Sequence, residues 1–317
     1  MALGAFRRNG ITALGLALGI AAGRIGYPAA ALTRLMLAGL RQPLWRSPVT
    51  LGLEAEDVVF GASDGVILRG WFLHRAGDTG QPAPAIVFVH GWPWNRLGNR
   101  AGQTLLPDRD VDFLNLAQAL GQAGFHTLLF DLRNHGQSDA AMPVTFGVHE
   151  ARDFIGAVSW LRRRRDVDSA RIGAIGFSMG ANTLIYGIPR SQPIRAAVAV
   201  QPTTPTVFAP RLTQSIIGPA GPAMVQLAEP LYRALGGPPL AQIDLVRAAE
   251  HLRETKMLYV QGSGDQWGTV ADVQAIAWAT PNALPLVIHP STERFGGYLY
   301  ADEHFERVVS FFEEHLR

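Results

Sequence analysis

The chain has 317 residues, 48% of them hydrophobic and 9% aromatic, enough to bury one large α/β core plus an insertion without dividing into two domains. It has no cysteine, which excludes disulfides, thiolate metal centres and a cysteine nucleophile. The net charge of +2 conceals an asymmetry, because residues 1–53 carry Arg7, Arg8, Arg24, Arg34, Arg41 and Arg46 and no acid at all.

Those arginines flank two apolar runs, 11–23 and 25–33. Basic residues beside apolar runs suit a membrane surface better than nucleic acid, since no aromatic or Lys/Arg-rich binding face accompanies them. The uncharged stretch 9–23 is shorter than the roughly 20 residues a spanning helix needs, although Arg24 can snorkel and 25–40 can extend the helix. Arg7 and Arg8 before a short apolar run also resemble a signal peptide, with Ala21-Ala22-Gly23 as a weak cleavage site. The expectation is a membrane anchor and linker over 1–48, with residues 1–46 meeting the membrane surface; the alternative is a helix packed on the body. The prolines in 42–48 mark the linker, and 49–317 is expected to be the body.

Segments 57–63 and 66–74 alternate or run apolar around Ser63-Asp64-Gly65, the signal of a β-hairpin. Segment 85–90 (AIVFVH) is a fully apolar strand of the kind buried in a parallel sheet. It ends in His90-Gly91-Trp92. A glycine there lets the loop approach a substrate closely, and the Trp92 amide is a candidate oxyanion donor. His90 reads as a brace for the loop, and Trp92, Trp94 and Asn95 as its entrance. Segment 111–122 has helical spacing in Phe113, Leu116, Ala117 and Leu120, with Gly124 to close it. Segment 125–131 is the next apolar strand and runs into Asp131-Leu132-Arg133-Asn134-His135-Gly136-Gln137-Ser138. An amphipathic helix is expected over 150–161. The four arginines 162–165 at its end read as a solvated face.

The stretch 171–187, RIGAIGFSMGANTLIYG, holds the sharpest signal. Ile172, Ala174 and Ile175 read as a buried strand, and Ala181, Thr183, Leu184 and Ile185 as the apolar side of a helix. Gly176-Phe177-Ser178-Met179-Gly180 joins them. A strand that turns directly into a helix leaves little room, and the glycines two before and two after Ser178 supply it. The hydroxyl of Ser178 then projects beyond the strand over the positive end of a helix, where the Met179 amide can donate to an oxyanion.

HGW after one strand, DLRNHGQSD after the next and GFSMG after the third make the chain resemble the α/β-hydrolase fold superfamily over residues 58–316. The resemblance implies a mostly parallel, doubly wound sheet of about eight strands with helices on both faces. It also implies that His135 and Asp139 are structural, and that residues 202–255, between strands at 194–200 and 257–261, form a cap over the serine. Within that cap, 223–235 reads as a helix offering Val225, Leu227, Ala228, Leu231 and Leu235 to a greasy group, or simply to packing. Asp265, in Gly262-Ser263-Gly264-Asp265, stands where the family places the acid that orients its histidine. After the last strand, 284–289, Arg294 occupies roughly the place of that histidine. Arginine stays protonated at any working pH and cannot act as a base. The substitutes are His289, at a strand end, and His304, in the first turn of a terminal helix over 302–316.

The implied activity is a serine hydrolase of an ester, thioester or related acyl bond in an apolar substrate, working through an acyl-enzyme with Ser178 and Asp265. The alternatives are a degenerate site in which Arg294 binds an anionic group, and an interaction subunit of a membrane assembly. No metal or organic cofactor is expected, because HExxH, dinucleotide and P-loop patterns are missing, and no nucleic-acid partner is expected.

Overall fold

A computed structural model describes Arg34, residues 36–103 and residues 108–316. The apolar runs of the expected anchor lie outside the described residues, as does the side chain of Leu231. Among the described residues no helix is long and apolar enough to cross a membrane.

Strands β1 (Ala55–Gly61) and β2 (Ile67–Leu73) form the expected antiparallel hairpin, and Gly65 takes the positive φ of 90° that its turn demands. Six further strands complete the sheet: β3 (Ala83–Val89), β4 (His126–Phe130), β5 (Val167–Phe177), β6 (Ala196–Val200), β7 (Lys256–Gly262) and β8 (Val287–His289). Their order is β1-β2-β4-β3-β5-β6-β7-β8. β2 runs antiparallel to β4, and from β4 to β8 every neighbour is parallel. All residues of β4 and β6 are buried, because helices cover both faces of the sheet and leave no solvated side for a polar alternation.

Helices α1 (Phe113–Gln122), α2 (Glu150–Leu161) and α3 (Met179–Gly187) carry the crossovers. Asp112 caps α1 by accepting from the Leu114 amide. One apolar layer gathers Phe154, Leu184 and Tyr259 on one face of the sheet, and another gathers Phe113, Phe177 and Phe312 on the other. Ser178 therefore stands at the carboxyl end of β5, in the middle of the sheet, with β3 and β6 on either side.

Residues 202–255 contain α4 (Pro205–Ile217), α5 (Gly221–Ala234) and the short α6 (Leu245–Ala249). α5 matches the helix expected over 223–235, but none of Val225, Leu227, Ala228 and Leu235 lines the cleft at Ser178. Leu227 is 79% and Leu235 48% exposed, and Val225 packs against the core instead. α7 (Val270–Ala279) escaped the sequence reading although Thr269 and Asp272 form a capping box at its start. The strand expected over 284–289 is shortened to β8, since Pro285 cannot donate to a ladder. Three further helices close the chain: α8 (Arg294–Tyr298), α9 (Tyr300–Glu303) and α10 (Phe305–Leu316). His304 thus lies between α9 and α10, not in a first turn of the terminal helix.

Two surface readings also change. The linker residues 42–48 are tied to the body: Gln42 is buried and donates to Pro93 O at 3.2 Å, and Arg46 pairs with Asp112 at 2.7 Å. Within 162–165, Arg164 is not a solvated charge. It pairs with both Glu56 and Asp166, and its guanidinium lies 3.8 Å from the centre of the Phe72 ring.

Candidate active site

Ser178 has φ 52° and ψ −114°, a conformation that costs about 1–3 kcal/mol in a non-glycine residue. The surroundings enforce it. The Ser178 amide donates to Val200 O at 2.9 Å, and the Ser178 carbonyl accepts from the Asn182 amide at 3.1 Å. A Cβ on Gly176 would lie 2.5 Å from Gly180 O, and one on Gly180 would collide with the Val89 carbonyl. Gly91 brings the β3 loop so near that its own Cβ would lie 3.3 Å from that of Ser178. The two glycines in G-x-S-x-G are therefore required by close approach of backbone, and Gly91 sits in a tight fit beside them.

The Met179 amide opens α3 beneath the serine, and Trp92 lines the same cleft. A narrow cleft lies over Ser178, walled by Trp92, Phe146, Phe208, Trp267, Phe295 and Tyr298 among others. Phe208 comes from α4, so residues 202–255 give the cleft one of its walls, through a helix that sequence periodicity did not mark.

Asp265 sits in the turn after β7 with its side chain 1% exposed. Its carboxylate accepts from the amides of Trp267 at 2.9 Å and Gly268 at 3.3 Å, and from Gln261 Nε2 at 3.2 Å. It also accepts from Arg294 Nη1. The other terminal nitrogen, Arg294 Nη2, donates to Ser178 Oγ at 3.0 Å. The resulting chain is Asp265, Arg294, Ser178, with a guanidinium standing between acid and serine. Arg294 is held there from all sides. Its carbonyl accepts from Gln201 Nε2 at 3.0 Å, while Trp267 and Tyr298 lie 5.4 and 5.2 Å from its guanidinium carbon.

Three residues that sequence reasoning missed complete the arrangement. Tyr298 is buried and hydrogen-bonded to Ser178 and Gln201, and burial raises its phenol above the ordinary value. Gln201, itself at φ 51°, also accepts from the Gly262 amide at 3.0 Å. Asn182 donates to Phe146 O and Thr203 O at 3.0 and 2.8 Å, joining two walls of the cleft. The nearest signal in the chain was Gly296-Gly297 before Tyr298, since a side chain on Gly297 would strike Gln201.

Neither substitute histidine reaches the serine. His289 and His304 pack on each other with ring centres 5.5 Å apart, and neither lines the cleft. His90 is the brace it was expected to be: Nδ1–H donates to Gly91 O at 2.8 Å and Nε2 accepts from the Leu132 amide at 2.9 Å. The Asp131–Ser138 loop is likewise held by its own bonds, with Arg96 forked on Asp131 and Arg133 bonded to both Asp153 and Asp64.

Burial lowers His90 from 6.5 to about 3. The unfolded chain therefore binds a proton below about pH 6.5 that the folded chain refuses. Stability from this group is complete above pH 6.5 and is lost as pH falls toward 3. Urea midpoints are expected to decline steadily over that window, and His90→Gln should flatten the decline; an unchanged slope in the variant would remove His90 as its source.

Residues 84–227 match the family described as alpha/beta hydrolase fold. A polyketide transferase of Stachybotrys chlorohalonatus is 30% identical over 189 residues, 59% of this chain and 56% of that protein. An uncharacterized protein of Mycobacterium tuberculosis is 34% identical over 149 residues, 47% of this chain and 46% of that one. The chain spans about half the length of the curated relatives it matches. Among solved structures, the esterase Pf2001 of Pyrococcus furiosus has a TM-score of 0.67 at 24% identity, over 88% of this chain and 99% of the esterase. With this sheet order and a serine at the turn after β5, the chain has the α/β-hydrolase fold.

Proposed function

We propose that this protein is a hydrolase of an acyl bond, ester or thioester, in an apolar substrate, with Ser178 as nucleophile and Arg294 in place of a base. The strained elbow carries this reading: a conformation that costs free energy is maintained at the one point where the cleft, the start of α3 and a serine hydroxyl coincide. The hydrolase fold and the esterase and polyketide transferase relatives support the same class.

Ser178 Oγ attacks the carbonyl carbon, and the amides of Met179 and Trp92 are the proposed donors to the oxyanion. Arg294 cannot accept the serine proton, so the proton passes to hydroxide, while the positive guanidinium favours the serine alkoxide. The leaving group takes its proton from water, and a second water frees the acyl group. The wild-type rate on p-nitrophenyl butyrate is then expected to rise with pH through the neutral range without a plateau near 7. Ser178→Ala should abolish labelling by a fluorophosphonate and reduce turnover by about 10² or more while leaving the melting temperature nearly unmoved. Turnover that survives this substitution would sink the assignment.

A second reading rests on the bond from Arg294 to Ser178. A rigid cation over the serine, in an aromatic cleft, is suited to hold the carboxylate of an apolar ligand without turnover. Calorimetric titration with octanoate separates the two readings: tight binding by a protein inert to esters and to the probe favours this one.

We further propose that the N-terminal segment brings the protein to a membrane, as its arginines and apolar runs suggest. Because residues 41–46 are bonded to the body, the deletion that tests this is residues 1–33. It is expected to move the folded protein from the membrane pellet to the supernatant, and a folded protein that still pellets would argue against the anchor.

A further inference from the structure

The two histidines unused by the serine meet beyond the cleft. His289 ends β8, Glu303 ends α9, and His304 follows it. One ligand atom from each lies within 4.8 Å of the other two. His289 Nε2 and Glu303 Oε2 are 3.3 Å apart, which is the edge, about 3.3 Å, of a tetrahedron whose donors stand about 2.0–2.1 Å from a zinc ion. The backbone holds the two imidazoles in place. The His289 carbonyl accepts from the Ser263 amide at 2.9 Å, and the His304 amide donates to Tyr300 O at 2.9 Å. The Glu303 side chain is 52% exposed. The His304 ring packs against the rings of His289 and Tyr300.

We propose that His289, Glu303 and His304 form a binding site for a divalent transition metal, zinc foremost, with water in the open position. Two imidazoles and a carboxylate suit zinc, whereas calcium and magnesium require oxygen ligands in larger number. Two other groups of similar residues, His74 with Asp78 and His126, and Glu56 with His74 and Asp166, are poorer candidates. There His74 already bonds Glu56 and Asp78 through its two nitrogens, and Arg164 occupies Glu56 and Asp166.

The site has a consequence for the cleft. Arg294, Phe295 and Tyr298 lie on the segment between the ligands, so one ion joins both ends of the stretch that walls Ser178. Zinc binding is therefore expected to quieten that stretch as well as to stabilise the fold.

Isothermal titration of the full chain with zinc chloride at about pH 7.5 tests this. One ion per chain is expected to bind at micromolar concentration, with magnesium chloride giving no heat. Glu303→Gln and His304→Gln should each weaken zinc by about tenfold or more. His74→Gln should leave it unchanged. Amide exchange over residues 290–303 should slow with zinc in the wild type and not in Glu303→Gln. No saturable binding up to about millimolar zinc, equal affinity in all variants, or loss in His74→Gln alone would each overturn the proposal.

Discussion

Arg294→His is expected to raise ester turnover by about 10²–10⁴, the range a positioned general base contributes. The wild type has an acid and a serine but joins them through a group that only donates. An imidazole at 294 would take the serine proton and leave the imidazolium beside Asp265, whose buried carboxylate is already fixed by two backbone amides. The pH profile is the sharper readout. A continuous rise with hydroxide should give way to a sigmoid with its midpoint in the range of an ordinary histidine, near 6.5. Stopped-flow or steady-state assay across pH 5 to about 9 distinguishes the two shapes. A folded variant that binds substrate but gains neither rate nor a sigmoid would show that the missing base is not what limits this site.

Asp265→Ala is expected to cost about 3–5 kcal/mol of folding free energy, because it strands the Arg294 guanidinium in a site where its side chain is 8% exposed. The arginine cannot escape by losing its proton, and Gln201, Trp267 and Tyr298 hold it in place. Arg294→Met removes the charge and fills similar volume, so the double variant Asp265→Ala with Arg294→Met should recover most of the loss. Urea unfolding of the wild type, both single variants and the double variant gives the coupling directly. Additive effects would mean that the Asp265–Arg294 pair is not an energetic unit. The same cycle also discriminates between roles, since a pair kept only for folding would leave octanoate binding and ester turnover untouched in the double variant.

Much of the fold was legible in residue order alone. The apolar runs that became β3, β4 and β6 are buried on both faces, so they are uniform in composition and need no partner to be recognised. The elbow was legible for a different reason: backbone crowding at Gly176 and Gly180 admits only glycine, and such constraints leave a mark at fixed spacing. Asp265 was singled out because it closes a glycine-rich turn just past a strand, where the resembled family places its acid. Arg294 was recognised as the residue standing where a histidine was expected, which residue order shows without coordinates.

What residue order could not decide was which side chains converge from distant segments. Nothing in the spacing of His289 and His304 says that they face each other and not Ser178, because the direction of each depends on the short helices α8 and α9 between them. Leu227 and Leu235 have helical spacing that suits a pocket, yet they are exposed, and Phe208 from α4 takes their place. Gln201 and Tyr298 look ordinary in the chain and become partners of Arg294 and Ser178 only after β6, β7 and α8 are packed. Sequence determined this protein's sheet and its elbow, since each rests on local chemistry between residues close in the chain. The tertiary structure alone decided that a guanidinium bridges Asp265 and Ser178, because that contact joins segments 29 and 116 residues apart and follows from packing geometry, not from any pattern within either segment.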